Sequence, residues 1–302
     1  MKHDLRITIA LLLLFLVSQI VGLGILAQDI DIVQGPAGEI NVTHGDTSLG
    51  ERPETKGFDS FVLVVISVLI GTGLLLIIIR FGKTNWWKAL FFFAVFMTIS
   101  VALGVFLDYT IAYAAALALA ILKVYRQNIY IHNSTEVLMY AGIAVLFVPM
   151  FTIEWIVALL IVISVYDFIA VFKSKHMVTM AKFQTESRVF SGFSIPYVSK
   201  RAKPIKKSVK EIVEKKGVVT EAILGGGDIA FPLLFAGVVL EGLISSARLP
   251  LEIAFLKVLI IPVAVTVMLL ILFAKAKQGK FYPAMPFLTA GCLIGLGIVW
   301  LV

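Results

Sequence analysis

Two aspartates lie where carboxylates are costly, inside long apolar stretches of the sequence. Asp167 stands six residues before Lys173 at the end of one such stretch, and Asp228 directly follows the three glycines at 225–227 in the next. A carboxylate inside a bilayer costs about 2.5–3.5 kcal/mol on insertion scales, so intramembrane acids are read as functional by default. Two acids sharing one proton suit hydrolysis, because one polarises a carbonyl while the other deprotonates water.

Residues of unusual type surround both acids. Tyr166 precedes Asp167, and its phenol can donate a hydrogen bond or close a pocket. The glycines before Asp228 remove side-chain bulk and weaken a helix, which allows close approach of another backbone. Pro283 and Pro286 open the last apolar stretch and disrupt helical hydrogen bonding there. Helix packing alone also explains such glycines, and prolines are common at helix starts, so each signal is weak in isolation.

The composition defines the class of protein that must position these residues. Of 302 residues, 60% are hydrophobic and only 15% are charged, and the mean hydropathy is +0.99. Soluble domains have roughly 45–50% apolar and about 25% charged residues, so a soluble enzyme and a disordered chain are both excluded. The single cysteine, Cys292, excludes an internal disulfide and a multi-cysteine metal site. We expect no metal and no cofactor.

Charge-free runs predict an all-α polytopic membrane protein with nine transmembrane helices. At about 20 residues per helix, roughly 180 apolar residues suffice for about nine spans. The predicted spans are 7–28, 60–79, 89–107, 109–122, 137–153, 154–172, 218–244, 251–274 and 281–301. Asp167 then lies about 9 Å from the end of the sixth span and Asp228 about 15 Å inside the seventh, at overlapping depths.

The distribution of basic residues predicts the orientation of these spans. The loop 29–58 is acidic, whereas the segment 173–217 contains twelve lysines and arginines, and Lys123 and Arg126 separate the fourth and fifth spans. The positive-inside rule therefore places the N-terminus in the cytoplasm and the C-terminus outside. The chain divides into an N-terminal membrane part (1–172), a basic cytoplasmic loop (173–217) and a C-terminal membrane part (218–302).

The basic loop is expected to contact the membrane rather than a nucleic acid. Its charge favours anionic lipid headgroups, and no nucleic-acid-binding motif accompanies it. Within it, the stretch 189–198 is apolar and rich in β-forming residues, which predicts a strand or lid near the membrane face.

Three motifs in order resemble the presenilin and signal peptide peptidase family of intramembrane aspartyl proteases. They are Tyr166-Asp167 in the sixth span, Gly225-Gly226-Gly227-Asp228 in the seventh, and Pro283-Ala284-Met285-Pro286 at the start of the ninth. That family is marked by a Tyr-Asp pair, a Gly-x-Gly-Asp motif and a Pro-Ala-Leu-Pro box on a nine-span fold. The short loops and the length are similar to those of archaeal presenilin-like members.

The resemblance implies a role for each motif residue. Asp167 and Asp228 correspond to the catalytic pair, and the supporting positions are Tyr166, Gly225, Gly227, Pro283, Ala284 and Pro286. Met285 replaces the usual leucine, a swap that conserves volume. Gly226 stands where the family often has a bulkier residue, which bears on substrate preference.

The implied activity is hydrolysis of peptide bonds within the transmembrane helix of single-span substrates. The expected partners are therefore such substrates and the lipid bilayer, with no nucleic acid and no obligate partner subunit. The expected location is the plasma membrane of a prokaryote. Because a substrate helix must unwind before attack, an extended segment is expected to pair with exposed backbone near 283–286 and 189–198.

Two alternatives remain open at the level of sequence. Intramembrane acids and glycine-broken helices also suit a proton- or ion-coupled carrier or channel. An inverted repeat between the two halves would favour this alternative, but both acids lie in the second half. A prepilin-peptidase-like protease also carries a glycine-glycine-aspartate signature, but it does not predict the proline box.

Overall fold

The structure is a computed structural model that describes residues 5–34, 40–126, 128–173, 179–180, 183–184, 187, 189–198, 219–276 and 282–302. Most of the basic segment 173–217 lies outside these residues. Within them the chain forms ten α-helices: α1 (Leu5–Asp29), α2 (Phe58–Arg80), α3 (Thr84–Gly104), α4 (Tyr109–Tyr125), α5 (Ile129–Phe147), α6 (Ile153–Phe172), α7 (Gly226–Ser245), α8 (Leu251–Val258), α9 (Ile260–Lys275) and α10 (Met285–Leu301).

Four short strands form two separate antiparallel pairs in the described residues. β1 (Ile30–Gln34) pairs with β2 (Ile40–His44), and β3 (Gly192–Val198) pairs with β4 (Val219–Gly225). The prediction of a strand within 189–198 is thus confirmed. The β3–β4 pair directly precedes α7, the helix that contains Asp228.

The helices agree in number with the nine apolar runs predicted from the sequence. Seven are long and apolar enough to cross a membrane, counting α8 and α9 as one helix, and α4 and α10 are shorter apolar helices. The break between α8 and α9 falls at Leu259. Pro262 has no N–H to donate to the carbonyl of Val258, which accounts for the interruption. The protein is an integral multi-pass membrane protein.

The predicted start of the fifth span was wrong. It was placed at residue 137 because Glu136 was treated as a charge outside the membrane, yet α5 begins at Ile129 and Glu136 is fully buried within it. Lys123 near the end of α4, predicted to lie in a cytoplasmic loop, is also buried and lies 2.6 Å from Glu136. Each charge is accommodated because the other neutralises it.

The predicted start of the seventh span was also wrong. Residues 219–225 form β4 instead of a helix, so Glu221 lies on a strand and α7 begins only at Gly226. At 1.5 Å per residue, Asp228 lies about 3 Å from the start of its helix, whereas Asp167 lies about 8 Å from the end of α6. The distance of 15 Å predicted between Asp228 and the start of its helix was therefore too large.

The helix α7 lies at the centre of the helical assembly. Every residue from Pro232 to Leu240 is buried, and α1, α5, α6, α9 and α10 all contact this helix. In contrast, α2 has only three buried residues and exposes apolar side chains along its length. Such a surface is typical of a lipid-facing helix, whereas an apolar helix buried on all sides belongs to the interior.

An ion cluster ties the loop after α1 to the end of α7 that is distant from Asp228. His44 Nδ1 lies 2.8 Å from Asp29 Oδ2, and His44 Nε2 lies 3.0 Å from Glu241 Oε1. Arg52 donates to both oxygens of Asp29, at 2.7 and 2.8 Å. Burial alone would lower the pKa of His44, but the hydrogen bond that its ring donates to Asp29 and the contact with Glu241 outweigh it and raise that pKa to about 9.

Candidate active site

Asp167 is a buried carboxylate held by the start of another helix. Its side chain is on α6 and the residue is only 4% exposed. The backbone N–H of Met285 donates to Asp167 Oδ2 at 3.1 Å. Among the described residues, Asp167 Oδ1 has no hydrogen-bond partner. Buried polar atoms are almost always paired, so an unpaired buried oxygen is exceptional. This oxygen is available to bind a reacting group.

The proline box provides the donor to Asp167. Met285 is the first residue of α10, and Pro286 follows it. The first N–H groups of a helix have no partner within the helix, so the N–H of Met285 is free to bind the carboxylate. Pro286 needs no such partner because it has no N–H. Pro283 and Met285 are buried, whereas Ala284 and Pro286 are half-buried.

Asp228 occupies the first turn of α7 and is half-buried. Gly225 is the N-cap of this helix, and a Cβ there would lie 3.2 Å from Asp228 Oδ2. The carboxylate therefore folds back over Gly225, where a side chain would crowd it. The backbone of Gly225 is extended, with φ −65° and ψ 148°, so its conformation does not require glycine.

Both acids therefore lie at the N-terminus of a helix, Asp167 at that of α10 and Asp228 at that of α7. The partial positive charge at a helix N-terminus stabilises a carboxylate, typically by 0.3–1 kcal/mol at exposed sites and up to about 2 kcal/mol when partly buried. This interaction offsets part of the free energy of burying the acids. It also explains why the acids lie close to helix ends.

The helices that position the two acids are in mutual contact. α6 packs against α7, and α10 packs against both. Ser164 and Thr289 join α6 to α10 through hydroxyl groups 2.7 Å apart. The hydroxyl of Tyr166 lies 3.1 Å from that of Thr72 on α2. Tyr166 thus links the helix of Asp167 to a lipid-facing helix, a contact that the sequence did not indicate.

Gly226 and Gly227 differ sharply in their surroundings. A Cβ at Gly226 would lie 2.8 Å from the hydroxyl of Tyr140 and 3.2 Å from Ser191 Cβ, with Ser191 Oγ closer still. A Cβ at Gly227 would meet only the ring of Phe231, at an ordinary 3.6 Å. Tyr140 and Ser191 therefore occupy the space that a larger residue at position 226 would need.

The outer edge of β3, the edge directed away from β4, is covered by side chains of α5. His132 Nε2 donates to the carbonyl of Gly192 at 2.8 Å, and Glu136 accepts from the N–H of Gly192 at 2.9 Å. Asn133 binds Ser194 twice, accepting from its N–H at 3.1 Å and donating to its carbonyl at 2.9 Å. Because these groups face α5, the strand pairing with β4 uses the alternate residues of β3.

Several residues near the acids were missed by sequence reasoning. Gln19 on α1 donates to the carbonyl of Ile229 at 2.9 Å, next to Asp228. Pro232, within α7, cannot donate to the carbonyl of Asp228 four residues earlier. A proline four residues after an intramembrane acid is visible in the sequence and would have signalled an irregular helix. Gln19 gave no comparable signal, because its partner is 210 residues away.

This fold and site define a class of protein. Two acids lie at helix N-termini on adjacent helices of a multi-pass membrane protein, and a proline-flanked helix start holds one of them. That arrangement fits the intramembrane aspartyl proteases, the class that the three sequence motifs resemble.

Comparisons with known proteins agree with this class. A sequence model of the family "Signal-peptide peptidase, presenilin aspartyl protease" matches residues 39–302. Two solved structures, each described as a presenilin family intramembrane aspartate protease, are similar in fold. The C222 crystal form has a TM-score of 0.56 and 18% identity, over 96% of this chain and 94% of that chain. The P2 form has a TM-score of 0.57 and 20% identity, over 98% and 97%. No curated protein sequence matches the chain significantly.

The chain belongs to the signal-peptide peptidase and presenilin family of aspartyl proteases, and it is an aspartic endopeptidase of the intramembrane-cleaving type. The family indicated by the three sequence motifs is thus confirmed. The match to the family model favours a presenilin-type aspartyl protease over the carrier and prepilin-peptidase alternatives.

Proposed function

We propose that Asp167 and Asp228 are the catalytic pair that hydrolyses peptide bonds within the transmembrane helix of single-span substrates. The observation that carries the proposal is the state of Asp167. It is a buried carboxylate with one oxygen held by the N–H of Met285 and the other without a partner among the described residues. Asp228 lies in the first turn of α7, which packs against α6, the helix that carries Asp167.

The two acids act as one unit that shares a proton. Like charges held close together do not both ionise readily, so one carboxyl stays protonated while the other is ionised. The ionised group takes a proton from water, whose oxygen bonds to the scissile carbonyl carbon. The protonated group donates to the carbonyl oxygen. The C–N bond then breaks as the departing nitrogen receives the proton that was taken from water. One hydroxyl of the tetrahedral carbon returns its proton to the other carboxylate, which forms the product carboxyl group and restores the pair. The assignment of acid and base belongs to the pair, not to either residue.

The substrate segment pairs with β4 in an extended conformation. The sequence suggested the stretch 189–198 as the pairing partner, but α5 covers the outer edge of β3. Among the described strands, none pairs with the other edge of β4. Ile223 and Gly225 lie opposite Ser194 and Gly192 in the register, so their backbone groups point toward that edge. A strand bound there ends close to Asp228, three residues after Gly225.

The test of the catalytic pair is substitution of each acid by asparagine. Asp167→Asn and Asp228→Asn should each abolish cleavage of a purified single-span substrate while the protein still folds, because either change removes the shared-proton pair. The double variant should be little worse than either single variant, as is usual for residues that act as a unit. Products are identified by mass spectrometry.

Glu154→Gln is the matched control, because it removes an exposed carboxylate at the opposite end of α6. It should cleave like the wild type. Substantial cleavage by either asparagine variant, in a preparation free of other proteases, would refute the proposal.

We propose further that the N-terminus is cytoplasmic and the C-terminus outside, in the plasma membrane of a prokaryote, as the charge distribution indicates. Cysteines introduced near the two termini should be labelled from opposite sides of the membrane. Background labelling is low because the single native cysteine, Cys292, is buried. Labelling of both termini from one side would contradict this orientation.

A further inference from the structure

A buried ion pair lies outside the two acids and needs an explanation. Lys123 Nζ is 2.6 Å from Glu136 Oε1, and the two side chains are 1% and 0% exposed. Lys123 also donates to the hydroxyl of Thr135 at 3.2 Å and to the carbonyl of His132 at 3.3 Å. A buried ion pair is weak evidence for stability, because desolvation can exceed the attraction between the charges. The ion pair is therefore better explained by the groups of the neighbouring strand that Glu136 binds.

The second carboxylate oxygen of Glu136 holds the start of β3. Oε2 accepts from the N–H of Gly192 at 2.9 Å, from the hydroxyl of Tyr140, and from Ser191 Oγ at 3.3 Å. Lys123 thus neutralises one oxygen while the other fixes the backbone of a strand. Gly192 has a φ of 132°, which side-chain-bearing residues rarely adopt, and a Cβ there would lie 3.1 Å from the carbonyl carbon of Leu224. Only glycine therefore allows β3 to approach β4 this closely at position 192.

Four side chains of α5 and Lys123 form one structure, which we call the α5 clamp: Lys123, His132, Asn133, Glu136 and Tyr140. It binds both backbone groups of Gly192 and both of Ser194. The clamp therefore occupies the edge of β3 at two successive outward-facing residues. Pro196, the next residue on that edge, has no N–H to satisfy.

The clamp is connected directly to the helix start that carries Asp228. Gly192 pairs with Gly225, the N-cap of α7. The hydroxyl groups of Tyr140 and Ser191 also lie against Gly226, the first residue of that helix. The clamp thus constrains the backbone immediately before Asp228 through two routes, the strand pairing and the contact with Gly226.

We infer that Glu136, neutralised by Lys123, is a positioning residue for the reaction. It sets β3, and through β3 it sets β4 and the first turn of α7, so that Asp228 and the edge proposed to bind substrate keep one relative position. The inference rests on the proposed role of Asp228. Loosening the clamp slows bond cleavage in the bound substrate and broadens the choice of cleavage site, because both depend on the position of β4 relative to the acids.

The test replaces the ion pair by an apolar pair that folds without it. Lys123→Met with Glu136→Met removes both buried charges together, which is often neutral or stabilising for a protein. It also removes the acceptor for Gly192 and Tyr140. We expect melting close to that of the wild type, but kcat lower by about 10- to 100-fold with a small change in KM, as a displacement of up to about 1 Å at a reacting centre would cause. Mass spectrometry should show additional cleavage sites.

The readout separates positioning from folding. The kcat is expressed per active site, counted by titration with a tight inhibitor that bears a central hydroxyl. Lys123→Met with Glu136→Gln restores a carbonyl acceptor for Gly192 and should recover part of the lost kcat. The control replaces another buried pair far from the acids, with Asp29→Leu and Arg52→Met, and should leave kcat per site unchanged.

Each outcome decides the inference. Wild-type kcat per site and an unchanged cleavage pattern in a folded Met/Met variant would overturn it, as would an equal loss of kcat in the control. If the Met/Met variant does not fold, Asn133→Ala removes both bonds to Ser194, and Tyr140→Phe removes the hydroxyl that contacts Glu136 and Ser191. Neither change strands a charge, and the same criteria apply to both variants. An inactive wild type or an active Asp228→Asn variant would instead refute the proposed function, and the inference would fall with it.

Discussion

A single methyl group at Gly226 should disturb the site more than it disturbs the fold. The substitution Gly226→Ala places a Cβ 2.8 Å from the hydroxyl of Tyr140 and 3.2 Å from Ser191 Cβ, with Ser191 Oγ closer still. Ordinary van der Waals contact begins near 3.4 Å, so the phenol must retreat by about 0.6 Å. Rotation of the serine hydroxyl cannot relieve the contact fully, because its own Cβ and the phenol remain too near.

The expected effect on stability is small because two terms oppose each other. Overpacking typically costs about 1–3 kcal/mol. Alanine in a helix is favoured over glycine by about 1 kcal/mol. The net loss is then about 1 kcal/mol. The effect on catalysis is larger, because a misplacement of about 1 Å can reduce a rate about 100-fold. A shift of about 0.6 Å next to Asp228 should therefore reduce kcat by roughly 10-fold.

The assay compares kcat, KM and melting temperature for the wild type, Gly226→Ala, Gly71→Ala, Ser191→Gly and the double variant of Gly226→Ala with Ser191→Gly. Gly71→Ala on α2 is the matched control, since a Cβ there has nothing within 4 Å. It should match the wild type in activity. Adding Ser191→Gly to Gly226→Ala removes both serine contacts but leaves the contact with the phenol of Tyr140. It should therefore restore only part of the activity, which a double-mutant cycle measures as coupling. Wild-type kcat and melting for Gly226→Ala alone would refute the argument from close packing.

Two further predictions concern stability. Protonated His44 bridges Asp29 and Glu241, and its pKa is about 9 against 6.5 in the unfolded chain. This pKa difference corresponds to at most about 3 kcal/mol of folding stability. The stabilisation is fully present below pH 6.5 and is lost as the pH rises through about 9. Thermal unfolding from pH 6 to 10 should show this decline, and His44→Gln should flatten it; a decline of equal size in that variant would contradict the assignment. Gly142→Ala should destabilise by about 3 kcal/mol, because a Cβ would lie 2.7 Å from the carbonyl carbon of Thr98 and backbone cannot rotate away. Gly73→Ala, in open space, is its control, and equal melting of the two variants would show that α3 and α5 tolerate separation.

The sequence predicted the number of apolar helices correctly because lipid excludes unpaired charge from them. The same rule failed at α5, where Glu136 is compensated by Lys123, a residue on another helix. The start of α7 was misplaced for another reason, because the largely apolar segment 218–224 suits a helix or a strand and periodicity alone does not separate the two. Pairing with β3 decides for the strand.

The candidate site was predictable to the extent that its residues form local motifs. The two aspartates, the glycines and the proline box are each visible in a short segment of sequence. The donors and neighbours that hold them come from distant segments. Met285 donates its N–H to an acid 118 residues earlier, and Glu136 reaches Gly192 across 56 residues. Such contacts carry no local signature, so only the fold reveals them.

The irregular backbone near the acids has one physical explanation. A helix that ran through the membrane on both sides of Asp228 would leave no backbone groups free for a substrate, because all of them would be satisfied within the helix. Starting α7 at Gly226 converts the preceding residues into β4, whose outward edge offers such groups within three residues of the acid. The α5 clamp closes the opposite edge of the pair at β3. Among the described strands, none pairs with the remaining edge, which is the edge of the strand that leads into Asp228. The start of α7 at Gly226 therefore places Asp228 at a stabilising helix N-terminus and also supplies the strand edge that we propose to bind the substrate.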